Sequence, residues 1–371
     1  MFDKKEQQTI QGVNDSQINQ AGGNVIVNNY GMSVTEVMGL VKELVSSEMS
    51  QYLHQAQITA QDRLKDFSSK FEERIDAKLH EHLCRFNEPS IQLAAREAAL
   101  GYIRNGNAVE GDALVDLLIE RVLVEEHSTK QKLIDQAIKI LPTLSHECLA
   151  LITFIAFVNI QKFCSRHEYQ KWIECINPVI DALVKVQPLD IAFLHQAECA
   201  TGVPGITYTK NYIETQLQHE DLFFRHPASE QFTSYLKNKY GMKFFEHGFT
   251  VSRSLGQQFL VDFINVFIPN DSQCFNCMRT SYDSLKQALV ENKFDDLAKD
   301  LDKFMEESIP YTKDEVKDFL ISINENWNTA LGLFSRGDFQ SMRLTPVGNY
   351  IACRQLTKLS GKKLDMSIFY N

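Results

Sequence analysis

The chain has 371 residues, an apolar share of 44% and a formal net charge of −10. These figures allow a sizeable core in more than one domain. They argue against general phosphate binding, because non-specific nucleic-acid affinity comes from Lys and Arg neutralising phosphates.

In chain order, Met1 to Glu6 is a charged tip with no apolar leader, so no secretory signal is expected. Eight dispersed cysteines, most of them in apolar helical stretches, fit a cytoplasmic protein with reduced thiols. Gln7 to Gly31 is nearly all Gln, Asn and Gly, with Asp15 as its only charge and no proline. It has too little apolar surface to fold alone. Its composition suits in-register strand pairing, in which Asn and Gln ladders satisfy one another between copies. Gly22-Gly23 reads as a turn between two short strands. The apolar residues Ile10, Val13, Ile18, Val25, Ile26 and Val27 are the candidates for contact between copies. Plain disorder is the alternative.

Ser33, with Glu36 three residues on, reads as a helix start with a capping box. From Val34, Val37, Val41 and Leu44 onward, apolar residues recur at steps of three and four as far as Phe86, with no proline before Pro89. Fifty-odd periodic residues without internal caps suggest a coiled coil or long arm, roughly 80 Å long at about 1.5 Å per residue. Two helices folded back on each other, with a break near Gln55 to Gln61, are the alternative. After Pro89 the pattern is a helical body. Leu149 to Val158 is its longest apolar run, far short of the roughly 20 residues needed to cross a bilayer, so a buried core helix is expected. Pro178 falls inside a helical pattern and should kink or divide it. From Thr201 aromatics become dense, Ile206 to Tyr208 reads as a short strand, and the end from Met342 reads as strand–helix–strand. The expected fold is mainly α, with a short N-terminal β segment, a long coiled-coil-like helix, and a multi-helix body with minor β near the C-terminus. The expected division is 1–31, 32–88, 89–200 and 201–371.

Two constellations carry candidate chemistry. Cys274-Phe-Asn-Cys277 has knuckle spacing for zinc, but no histidine follows His247 and Cys353 is the only later cysteine. A plain pair of thiols is the alternative. Arg121 and His127, in RVLVEEH, match the loose Arg-x5-His pattern of HEPN-type ribonucleases. Six residues at 100° each place them about 600° apart on a straight helix, so the His would have to lie past the helix end. A surface Arg and a helix-terminal His are the alternative. The glycine-rich nucleotide loops, the His-Glu-x-x-His metal site and the Gly-x-Ser-x-Gly nucleophile elbow are absent, which lowers the expectation of an enzyme. No cofactor is expected.

Three stretches together resemble an uncharacterised family of bacterial cytoplasmic proteins. They are Gly31-Met32-Ser33 through Glu36-Val37 behind the Gln/Asn/Gly opening, Gly111-Asp112 with Leu114 to Arg121, and Leu344 to Ala352 with the tail Met366 to Tyr370. The resemblance assigns no catalytic residues. Similar openings occur on bacterial proteins of conflict and anti-phage defence, where they look like assembly or signalling segments.

The resulting expectation is a non-enzymatic, homo-oligomeric sensor or effector of bacterial antiviral defence. It would assemble through the N-terminal segment and the long helix and respond to a protein trigger. Membrane disruption by the assembled form is one route of action, and a membrane is expected as a partner only after assembly. Nucleic acid is not expected as a partner. The alternatives are a nuclease effector, HEPN-like or zinc-dependent, and a scaffold with no effector activity.

Overall fold

The structure is a computed structural model. It describes residues 33–49, 54–75, 77–159, 166–203, 205–209, 211–219, 226, 229–240, 282–291, 295–362, 364 and 366.

The first helix, α1 (Val34–Met49), starts where its capping box predicts. Ser33 Oγ accepts from the Glu36 backbone N–H at 3.2 Å, and the Ser33 backbone N–H donates to Glu36 Oε2 at 2.7 Å. Those bonds hold the Glu36 carboxyl below the usual carboxylate range. Next come α2 (His54–Glu73), the short α3 (Ala77–His80) and a 3-10 turn over Leu83–Asn87. The single arm expected over 33–86 is therefore divided. Both α1 and α2 lie against α4 (Pro89–Asn105), and α2 also meets α5 (Ala108–Leu123). The apolar stripe is real, but the chain's own body covers it: Phe67 and Phe71 of α2, like Leu79 and Phe86 after it, have no exposed surface.

The body continues with α6 (Thr129–Ile140) and α7 (His146–Asn159). Ser128 caps α6 by accepting from the Gln131 backbone N–H at 3.1 Å. The expected core helix is α7, in which Ala150 to Val158 are all buried. Helices α8 (Arg166–Cys175) and α9 (Asn177–Leu183) follow. Pro178 sits at the start of α9 and divides the pattern instead of kinking it. Its fixed φ and missing N–H suit a first helical turn. After α10 (Pro188–Gln196) comes β1 (Ala200–Gly202), so the strand lies at 200–202 and not at Ile206–Tyr208.

The remaining described elements are α11 (Tyr212–His219), α12 (Glu230–Tyr240), α13 (Tyr282–Glu291), α14 (Asp295–Glu307), α15 (Lys313–Ile323), α16 (Trp327–Gly332), a 3-10 turn over Leu333–Ser335, α17 (Gly337–Gln340), β2 (Met342–Leu344) and α18 (Pro346–Ser360). Helix α15 stops at Asn324, its C-cap. Asn324 and Asn326 donate their side-chain amides to Asp181 Oδ1 at 2.8 and 2.9 Å.

The end of the chain closes on its middle. β2 pairs antiparallel with β1, Ala200 opposite Leu344, and α18 packs along α7. Thr345 caps α18 by accepting from the Gly348 backbone N–H at 3.2 Å, with Pro346 as first helical residue. The close approach depends on Gly348, where a Cβ would lie 2.0 Å from the Cys199 carbonyl oxygen. Gly348→Ala must push that backbone away, and the expected cost is about 1–3 kcal/mol, measured by urea unfolding at unchanged m-value.

Candidate functional site

Six of the residues expected to join copies, Ile10, Val13, Ile18, Val25, Ile26 and Val27, lie outside the described residues, as do Cys274 and Cys277. The other four lie on α1 and divide by face. Val37 and Val41 have no exposed surface, and Val34 packs on the same core from a half-buried position. A second copy therefore cannot reach Val37 or Val41 while α1 stays docked. Leu44 is different. With Leu40 and Glu43 of α1 and Pro89, Gln92, Leu93 and Arg96 of α4 it lines a groove of about 650 Å³.

That groove is an apolar trough with a charge at its edges. Leu93 is 48% exposed, whereas Ile91, Ala94, Ala95 and Ala98 face inward. Leu93 is thus a large apolar residue out of phase with the buried stripe of α4, and that phase error is the sequence signal that marks it. Glu43 and Arg96 carry opposite charges at the lining. The trough can accept an apolar side chain or a short apolar stretch.

Arg121 is on the last turn of α5 and is wholly buried. Its Nε donates to Asp135 Oδ1 at 2.8 Å and its Nη1 to Glu126 Oε1 at 2.9 Å. Arg85, from the first 3-10 turn, approaches the same place. It gives Nη1 to the carbonyls of Val122 and Val124 at 2.5 and 2.7 Å and Nη2 to Glu126 at 3.0 Å. It thereby satisfies carbonyls that the end of α5 leaves without intrahelical partners. Partial burial works against the Glu126 charge, but the hydrogen bond and attraction of Arg121 outweigh it and hold the carboxyl below its usual range. His127 does lie past the helix end, in the left-handed region at φ 63°. It is exposed, and its backbone N–H donates to Gln131 Oε1 at 2.5 Å. One member of the pair thus faces inward, bound to two carboxylates, and the other faces solvent. The arrangement ties α5 to α6 and presents no joint Arg–His surface to a ribose phosphate.

Among the described residues no group of three or more His, Cys, Asp or Glu side chains could hold a metal ion, and no helix is long and apolar enough to cross a membrane. A protein-family model whose description reads only ":-like" matches residues 31–370. No curated protein and no solved structure matches the chain.

Proposed function

The chain belongs to an uncharacterised family whose model spans residues 31–370 of it, and from that premise we propose a non-enzymatic protein that self-assembles through its N-terminal segment, displayed from the docked helix α1. The observation that carries this reading is the junction at Ser33. A capped helix starts there, its inner face is buried on α4, and its outer face borders the exposed trough of Leu40, Leu44 and Leu93. The segment before Ser33 is joined directly to the helix that carries Leu40 and Leu44. Several weak strand pairings gain avidity when their supports are held together. The reading places the protein in bacterial antiviral defence, on the likeness of its Gln/Asn/Gly opening to those of defence proteins. An oligomeric protein trigger would start assembly, and disruption of a membrane would follow from the assembled form.

The contact residues on the helical side are then Leu40, Leu44 and Leu93, in place of the buried Val37 and Val41. Mass photometry of the full chain, of a chain beginning at Ser33 and of Leu44→Asp/Leu93→Asp tests this. The full chain should form a discrete oligomer, the shortened chain should fall to monomer, and the double variant should lose at least tenfold in assembly affinity. An oligomer that survives removal of residues 1–32 unchanged would sink the reading.

A further inference from the structure

A second concavity, of about 620 Å³, lies between α5 and α18, with α2 and α6 at its edges. Its volume is in the usual range for small-molecule sites, about 300–1,000 Å³. It has two zones. The floor is apolar, with the inward residues Leu117, Leu141 and Ile351 beside the half-buried Leu123. The mouth is charged and drawn from four helices.

The charges are not balanced. Asp112, Asp116 and Glu120 stand four residues apart, on one face of α5. Facing them in the lining are Arg74, Lys130, Arg354 and Lys358, and Lys70 reaches Asp112 from behind at 3.1 Å. Asp112 alone draws Lys70, Arg74 at 2.9 Å and Lys358 at 3.7 Å. Burial opposes the Asp112 charge, but the hydrogen bonds from Lys70 and Arg74 outweigh it and hold the carboxyl below its usual range. Arg74 also meets Asp116 at 3.0 Å, and Glu120 takes Lys130 at 2.8 Å, the Tyr350 hydroxyl at 2.6 Å and the Arg354 guanidinium. Four cations line the cleft beside three carboxylates, in a chain whose formal charge is −10, while Lys70 is shared between Asp112 and, at 3.9 Å, Asp66. An ammonium has three donors and a guanidinium five, so these contacts leave donors at the mouth. Burial penalises the Arg354 charge and pulls its pKa below the ordinary arginine value, against the opposing pull of Asp116.

We propose that the cleft between α5 and α18 binds a small amphiphilic organic anion, its apolar body on the Leu117–Leu123–Leu141–Ile351 floor and its carboxylate, sulfonate or phosphate group at Lys130, Arg354 and Lys358. The surplus of cations selects the charge and the floor selects the apolar body. Neither zone belongs to the α1–α4 trough, so the two surfaces fail or stand separately.

The test uses the full chain and 1-anilinonaphthalene-8-sulfonate, an aromatic anion that fluoresces when desolvated. One equivalent should bind per chain. Lys358→Glu, at a side chain 43% exposed, should weaken binding at least tenfold. Ala113→Phe, which fills the cleft, should abolish it. Leu189→Asp, at an exposed side chain of α10 that lines neither concavity, should leave it unchanged. Hexanoate and hexyl phosphate should displace the probe and hexylamine should not. Thermal unfolding of each variant confirms that the protein is folded. Equal affinity in wild type, Lys358→Glu and Ala113→Phe overturns the proposal and leaves an ion-pair seam that no ligand enters. Displacement by hexylamine as readily as by hexanoate overturns it on charge.

Discussion

Arg121→Ala is expected to lower stability by about 3 kcal/mol, the lower end of what removing one partner of a buried ion pair costs. The lower end applies because Glu126 and Asp135 keep 30% and 31% of their side-chain surface exposed and can be hydrated once the guanidinium has gone. Arg121→Met should recover a large part of the loss, since it keeps the volume. The variant should also change the acid limb of the stability curve. A carboxyl whose folded pKa is depressed, as at Glu126, contributes stability that is present above its unfolded pKa, about 4.3, and is lost as pH falls through the lower folded value. Without Arg121 that depression shrinks, so the variant should lose less stability than wild type between about pH 4.3 and pH 2. Urea unfolding across that pH range checks both statements. The outcome also separates two roles for this residue. A catalytic Arg, replaced by Ala, would abolish nuclease activity in a protein of unchanged stability; a tie between α5 and α6 would weaken folding first.

Trp327→Ala should cost about 3–5 kcal/mol, the range for removing a buried aromatic side chain. Trp327 has no exposed surface. Its ring stacks on Tyr212 at 5.6 Å and 16°, and it meets Phe154 edge-on at 5.8 Å. Phe154 in turn touches Phe334 and Phe339, so the substitution opens a cavity where α7, α11 and α16 meet. Trp327→Phe should cost much less, about 1–2 kcal/mol, because the indole N–H has no hydrogen-bond partner among the described residues to lose. Trp172 is the one other tryptophan of the chain, so fluorescence-detected unfolding of Trp327→Phe then reports from α8.

Local signals carried over from sequence to structure where a neighbour within four residues decides the outcome. The Ser33–Glu36 box and the run that becomes α7 are of this kind. Signals that depend on a distant partner did not. Steps of three and four from Val34 to Phe86 record which face is covered, and they read the same whether a second copy or α4 covers it. Arg121 in RVLVEEH looked like a surface residue, because Asp135, which neutralises it, is fourteen residues further on and in another helix. The trough at Leu93 was legible in principle, as a leucine one step off the buried stripe of α4. The cleft between α5 and α18 was not, since Glu120 and Tyr350 are 230 residues apart.

The closure of α18 onto α7 sets a condition on biosynthesis. Roughly 190 residues separate the end of α7 from the start of α18. At about 5–20 residues per second on the ribosome, the nascent chain carries the most apolar helix of the body without its main cover for about 10–40 s. During that interval Ala150 to Val158 is a sticky segment for chaperones or for other nascent chains. Emergence of α18, and not of any earlier helix, is the event that lets this core close.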